Sequence, residues 1–174
     1  MITNAERSKR IEGLTNRQAL DIVQFMTAWL DGQRPEPLDL TPDQQVAVLN
    51  DVFQKVGYAA LPLSAAARPD EHAAGQAGRQ LLLVLSKSDD SALLAELDHW
   101  LANPPKAETK ALVELVVVPI VLTACIIALG TKFKVKYEEG RAVVDLARDP
   151  IKGKDLKAIV SGIFGVVKGL IGVA

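Results

Sequence analysis

Two histidines, one cysteine and a few paired carboxylates are the groups in this 174-residue chain whose types could carry chemistry. His72 and His99 both fall in sequence of helical character. Asp98 precedes His99, yet adjacent residues on a helix point in different directions, so this pair is not an oriented acid and imidazole. Both histidines read as solvated or capping groups. Cys125 stands alone, which excludes an intramolecular disulfide and a cysteine-based metal centre within one chain, and it reads as a small buried apolar residue. Asp89–Asp90 and Glu138–Glu139 could serve as acid and base or bind a cation. They sit, however, in turn-like sequence where acids cap helices and aid solubility, and no further ligands accompany them. The C-terminal glycines lie inside one apolar helical pattern and not in a loop between strand and helix, so they do not form a phosphate loop. The expectation is a non-enzymatic protein without cofactor or metal.

Two other groups point to surfaces. Lys132, Lys134 and Lys136 alternate with Phe133, Val135 and Tyr137. Such a face could bind nucleic acid by charge and stacking, but lysines beside an apolar stretch are more simply a membrane-flanking anchor, and nucleic acid is the disfavoured partner. Glu114 opens that apolar stretch. A carboxylate there either faces a bundle interior or a water-filled path, or lies close enough to the interface to reach water, and the second reading is the simpler.

Composition divides the chain. Residues 1–105 carry 9 Lys/Arg against 14 Asp/Glu, net −5, and residues 106–174 carry 11 against 7, net +4, giving −1 in all. The hydrophobic share of 49% with 24% charged residues excludes a disordered chain. The basic, apolar part suits anionic lipid, and the acidic part suits water or a basic protein partner. Met1 to Arg10 lacks the apolar core of a signal peptide, so the head is expected in the cytosol.

The elements that position these groups are mainly helical. Thr15 and Gln18 form a capping-box pattern ahead of Ala19, Ile22, Val23, Met26, Trp29 and Leu30, and Gly32 ends the run. Arg34 to Leu40 is a linker. Thr41, Pro42 and Gln44 start a second helix with Leu49, Val52, Phe53 and Val56 on its stripe and Gly57 at its end. Tyr58 to Pro69 reads as an irregular crossing. From Asp70 the sequence culminates in Leu81 to Leu85, apolar all round and so expected at the centre of the head. Asp89 or Asp90 caps a fourth helix carrying Leu93, Leu94, Leu97, Trp100 and Leu101, which Asn103, Pro104 and Pro105 terminate. Four such stripes make a small bundle over 1–105.

Segment 106–131 is different. Ala111 to Gly130 has Glu114 as its one strongly polar residue, and at about 1.5 Å per residue it is long enough to cross a hydrocarbon layer of roughly 30 Å. A transmembrane helix is the leading expectation, and a buried core segment interrupted at Pro119 is the competing one. Segment 132–148 has the period-two rhythm of a basic β-hairpin, turning at Glu138, Glu139 and Gly140 and needing another surface or chain to pair with. Segment 149–174 reads as an amphipathic, Gly-rich helix that Asp155 could cap. Leu156, Ile159, Val160, Ile163, Val167, Leu170 and Ile171 share its apolar face. Its glycines each cost about 1 kcal/mol relative to alanine, which close helix contact or lipid insertion would offset, and Gly165 with Gly169 has the small-xxx-small spacing.

The expected function is membrane association. The helical head senses or binds a partner, and the C-terminal third inserts into lipid, or is held ready to insert, in the manner of an oligomeric pore-forming or membrane-disrupting effector. Contacts to lipid or to other copies of the chain are expected at Glu114, Pro119, Lys132, Lys134, Lys136, Ile159, Ile163, Gly165, Val167, Gly169 and Leu170. The alternative is a soluble cytoplasmic oligomer, a scaffold or adaptor whose apolar third is the oligomer core. Topology presents a conflict. Lys and Arg are denser after the apolar span than before it, which would put the hairpin in the cytosol, whereas a head without a signal peptide should stay there too, and one simple crossing cannot satisfy both. A re-entrant or peripheral segment, a pair of apolar helices, or insertion only after activation would each resolve it.

Overall fold

The computed structural model describes residues 2–33, 40–62, 64, 69–106, 134–138, 141–145 and 153–171, and these are mainly helical. Thr3 opens the first helix, α1 (Asn4–Glu12), its Oγ1 accepting from the Glu6 N–H at 3.2 Å, and Lys9 and Arg10 lie in the last turn, where positive charge suits the helix dipole. α1 is absent from the sequence reading. Its polar residues show no stripe, and it buries only Arg7 and Ile11.

α2 (Asn16–Gly32) and α3 (Pro42–Lys55) start at full capping boxes. Thr15 and Gln18, then Thr41 and Gln44, each exchange two side chain–backbone hydrogen bonds. Just beyond α3, Gly57 adopts φ +97°, a left-handed conformation that favours glycine. Asn50 of α3 then fixes the following chain: its Oδ1 accepts from the Leu61 N–H at 2.8 Å and its Nδ2 donates to the Leu61 carbonyl at 3.1 Å. α4 (Glu71–Leu85) is capped by Asp70, and α5 (Ser91–Ala102) by Asp90.

Two short strands, β1 (Lys134–Glu138) and β2 (Arg141–Asp145), pair antiparallel. Their register sets Lys134 opposite Asp145 and Glu138 opposite Arg141, with Val135 opposite Val144 and Tyr137 opposite Ala142 on the alternate positions. β2 lies beside α3. The last helix, α6 (Gly153–Leu170), begins two residues ahead of Asp155, which therefore lies inside the helix and does not cap it.

α4 is the central element, with α2 on one side and α6 on the other. Leu81, Leu82 and Leu85 are buried, and Leu83 and Val84 half-buried. Ile163 of α6 is fully buried in the same core as Ile22, Met26, Leu49, Phe53, Leu81, Leu82 and Leu97. The compositional break at residue 105 is thus bridged in space, because helices from both sides of it share one core. Among the described residues, no helix is long and apolar enough to cross a membrane. The apolar stretch Ala111–Gly130, expected as a transmembrane helix, lies outside the described residues, together with Glu114, Pro119, Cys125 and Lys132.

Candidate functional site

The seam between α4 and α6 collects most of the C-terminal residues singled out from the sequence. Val160, Ile163, Val166, Val167 and Leu170 are buried along it, and Ile159 is half-buried. A β-carbon placed on Gly162 would come within 2.5 Å of Val84 Cγ2, and one on Gly169 would stand 3.8 Å from Gln80 Oε1. The two contacts run in opposite senses along the helices, so α4 and α6 are antiparallel. Gly162 is the glycine that permits close helix approach. Gly165 is exposed, and a β-carbon there would meet nothing within 4 Å. Gly165 therefore lies away from α4, whereas Gly169, seven residues on from Gly162, stands at the exposed edge of the seam beside Gln80; Lys157, Ala158 and Ser161 are also exposed.

Phe164 fastens the other flank of α6. Its ring stacks on Tyr58 at 4.4 Å between centroids and meets Phe53 edge-on at 5.1 Å. Such pairs add about 0.5–1.5 kcal/mol beyond area burial. Lys134 and Lys136 fall in β1, where the register pairs them with Asp145 and Val143.

On the far side of the head, Phe25 of α2 and Trp100 of α5 stack with centroids 4.4 Å apart and planes 13° apart. Phe25 is 40% exposed, the one large apolar side chain so open among the described residues. Trp100 donates its indole N–H to Glu96 Oε1 at 2.8 Å. The sequence reading assigned Trp100 to a stripe but did not single out Phe25, which falls between the stripe positions Ile22 and Met26 and gives no periodic signal.

Electrostatics concentrate at one place. Arg7 Nε donates to Asp98 Oδ1 at 2.6 Å and Nη2 to Oδ2 at 2.9 Å, with the side chains only 4% and 14% exposed. The hydrogen bonds from Arg7 hold the Asp98 carboxyl below the usual carboxylate range, against the opposing effect of burial, and the same contact raises Arg7. Burial lifts the Asp21 carboxyl, and nearby Arg17 offsets part of that rise. Asp98 serves Arg7 and not its neighbour His99, which is exposed and set edge-on to Trp100 at 5.2 Å. His72 is exposed as well. Among the described residues, no group of three or more His, Cys, Asp or Glu side chains could hold a metal ion.

Compared with known protein families, curated proteins and solved structures, the chain matches none.

Proposed function

We propose that this is a non-enzymatic, membrane-associated helical protein, in which the acidic head is an interaction or sensing module and the apolar segment Ala111–Gly130 engages lipid from one side. The observation that carries this reading is the shared core. α5 before the apolar segment and α6 after it belong to one helical body. A segment that leaves this body after Lys106 and rejoins it by β1 enters and leaves a bilayer on the same face. A re-entrant or peripheral attachment satisfies both the acidic head and the basic region that follows the segment, which a single crossing does not. Three lysines at 132, 134 and 136 suit anionic headgroups, each contributing about 1 kcal/mol near such a surface.

The test is flotation of the full chain with vesicles containing phosphatidylglycerol, beside a variant carrying Val117→Lys and Ile126→Lys. The native chain is expected to float and to resist an alkaline wash, and the variant to remain below. A dye sensitive to polarity, attached at Cys125, should shift to the blue in the native chain on lipid. A native chain that stays soluble without detergent and runs as a defined oligomer would instead establish the scaffold reading. The burial of Val160, Ile163, Val166 and Val167 within one chain supports a soluble body for that second reading and leaves contacts between copies to other surfaces.

A further inference from the structure

We infer that the face of the head formed by Phe25, Trp29 and Trp100 is a docking site for a basic, arginine-bearing segment of a protein partner, whose guanidinium stacks on the open side of the Phe25 ring beside the Asp21 and Glu96 carboxylates. This rests on the reading of the head as an interaction module and draws on neither the apolar segment nor α6.

Three observations carry it. The first is aromatic. Both tryptophans of the chain meet its most exposed large apolar side chain, among the described residues, where α2 packs on α5. Phe25 stacks on Trp100 with centroids 4.4 Å apart, and Trp29 follows Phe25 by one helical turn, which places it on the same side of α2. Trp29 and Trp100 are half-buried, whereas Phe25 is 40% exposed. Parallel stacking covers one face of the Phe25 ring and leaves the other to solvent. A cation gains from such a face, and guanidinium suits it best, because it lies flat on the ring while its N–H groups reach outward to carboxylates.

The second observation is Glu96. Its Oε1 accepts the Trp100 indole N–H at 2.8 Å, which fixes a negative charge beside the stack. The third is Asp21, one turn before Phe25 on the same side of α2. Its contact with Arg17 is long, 4.0 Å, and burial still lifts its carboxyl above the ordinary range. Asp21 is thus short of positive charge, which an arginine from a partner supplies. The head as a whole points the same way, with 9 Lys/Arg against 14 Asp/Glu over residues 1–105. Charge therefore favours a basic protein segment on this face over an anionic lipid surface.

The experiment follows the fluorescence anisotropy of a fluorescein-labelled peptide of alternating arginine and alanine as the full chain is added. A second peptide carries citrulline in place of arginine, which keeps the shape and removes the charge. The arginine peptide is expected to bind, and the citrulline peptide to bind much more weakly. Phe25→Ala should weaken binding of the arginine peptide about three- to tenfold, as should Asp21→Asn and Phe25→Leu, the last of which keeps apolar bulk and removes the aromatic face. Binding as tight to both Phe25 variants as to the native chain would overturn the inference, since diffuse attraction to an acidic head survives those changes. Equal binding of the two peptides would overturn it as well. Flotation with phosphatidylglycerol vesicles is read on the same proteins. A Phe25→Ala chain that binds the peptide normally but no longer floats would assign the aromatic face to lipid and overturn the inference. A native chain that floats but ignores the arginine peptide overturns this inference alone, and one that binds the peptide without floating overturns the membrane reading alone.

Discussion

Arg7 and Asp98, 91 residues apart in the chain, form a two-pronged ion pair that closes α1 onto α5. Asp98 also accepts from the Ile2 N–H at 3.4 Å, so one carboxylate gathers the beginning of the described chain as well as the helix. Removing one partner leaves the other charge buried. Asp98→Asn should therefore lower unfolding free energy by about 3–5 kcal/mol in urea titrations, whereas Arg7→Met with Asp98→Leu should cost much less.

The same pair sets an acid limb on stability. The folded pKa of Asp98 is depressed, so its contribution is fully present above the unfolded value of about 3.9 and is lost as pH falls through the lower folded value. The stability difference between the native chain and Asp98→Asn should shrink as pH falls below about 4. A difference that stays constant down to the acid transition would show that the ion pair contributes nothing of this kind.

The two glycines of α6 should respond oppositely to alanine. At Gly165 nothing stands within 4 Å of a new β-carbon, so Gly165→Ala should raise stability by about 1 kcal/mol through helix propensity alone. At Gly162 the β-carbon meets Val84 Cγ2 at 2.5 Å, and the branched valine has little freedom to turn away. Gly162→Ala should lower stability by about 1–3 kcal/mol as an overpacked contact, measured by chemical denaturation of both variants side by side.

Asn50→Ala strips partners from both backbone groups of Leu61 in a half-buried position. A loss of about 1–3 kcal/mol is expected, together with faster proteolysis just beyond α3, since the side chain is what pins that stretch to the helix.

Phe25→Ala removes the ring stacked on Trp100. Because Phe25 is already 40% exposed, the stability change should stay near 1 kcal/mol. Trp100 emission should move to longer wavelength as water reaches its face. No spectral change would mean that the two rings are not stacked in solution.

How much of this could be read from the residues depends on how local the signal is. Thr15 with Gln18 and Thr41 with Gln44 act within one helical turn, and the capping boxes they announce are present. The runs from Ile22 to Leu30 and from Leu93 to Leu101 carry their periodicity openly, and Leu81 with Leu82 is as central as its apolar surroundings imply. α1 escaped because its one buried apolar residue, Ile11, sets no period. Arg7–Asp98 escaped because each residue alone resembles a solvated charge, and only the packing of α1 on α5 brings them together. At α6 the sequence marked the apolar face and weighed close helix contact against lipid, but spacing alone drew attention to Gly165 and Gly169. Which glycine meets a neighbour closely depends on helix rotation and on the facing side chain: Gly162 has no room for a β-carbon beside Val84, Gly169 has ordinary contact with Gln80, and Gly165 meets nothing.

The position of α4 between α2 and α6 has a consequence for how the chain is born. α2 emerges from the ribosome before α4 and can cover one flank at once, but Leu170 follows Leu85 by 85 residues. At about 5–20 residues per second the second flank waits roughly 4–17 s for its cover. During that interval the nascent head exposes the leucine-rich side of its own central helix, with the apolar stretch 111–130 arriving in the meantime. A chaperone, a neighbouring nascent chain or a membrane that reaches the growing polypeptide in that window competes directly with α6, so the route of synthesis could decide which surface this protein first adheres to.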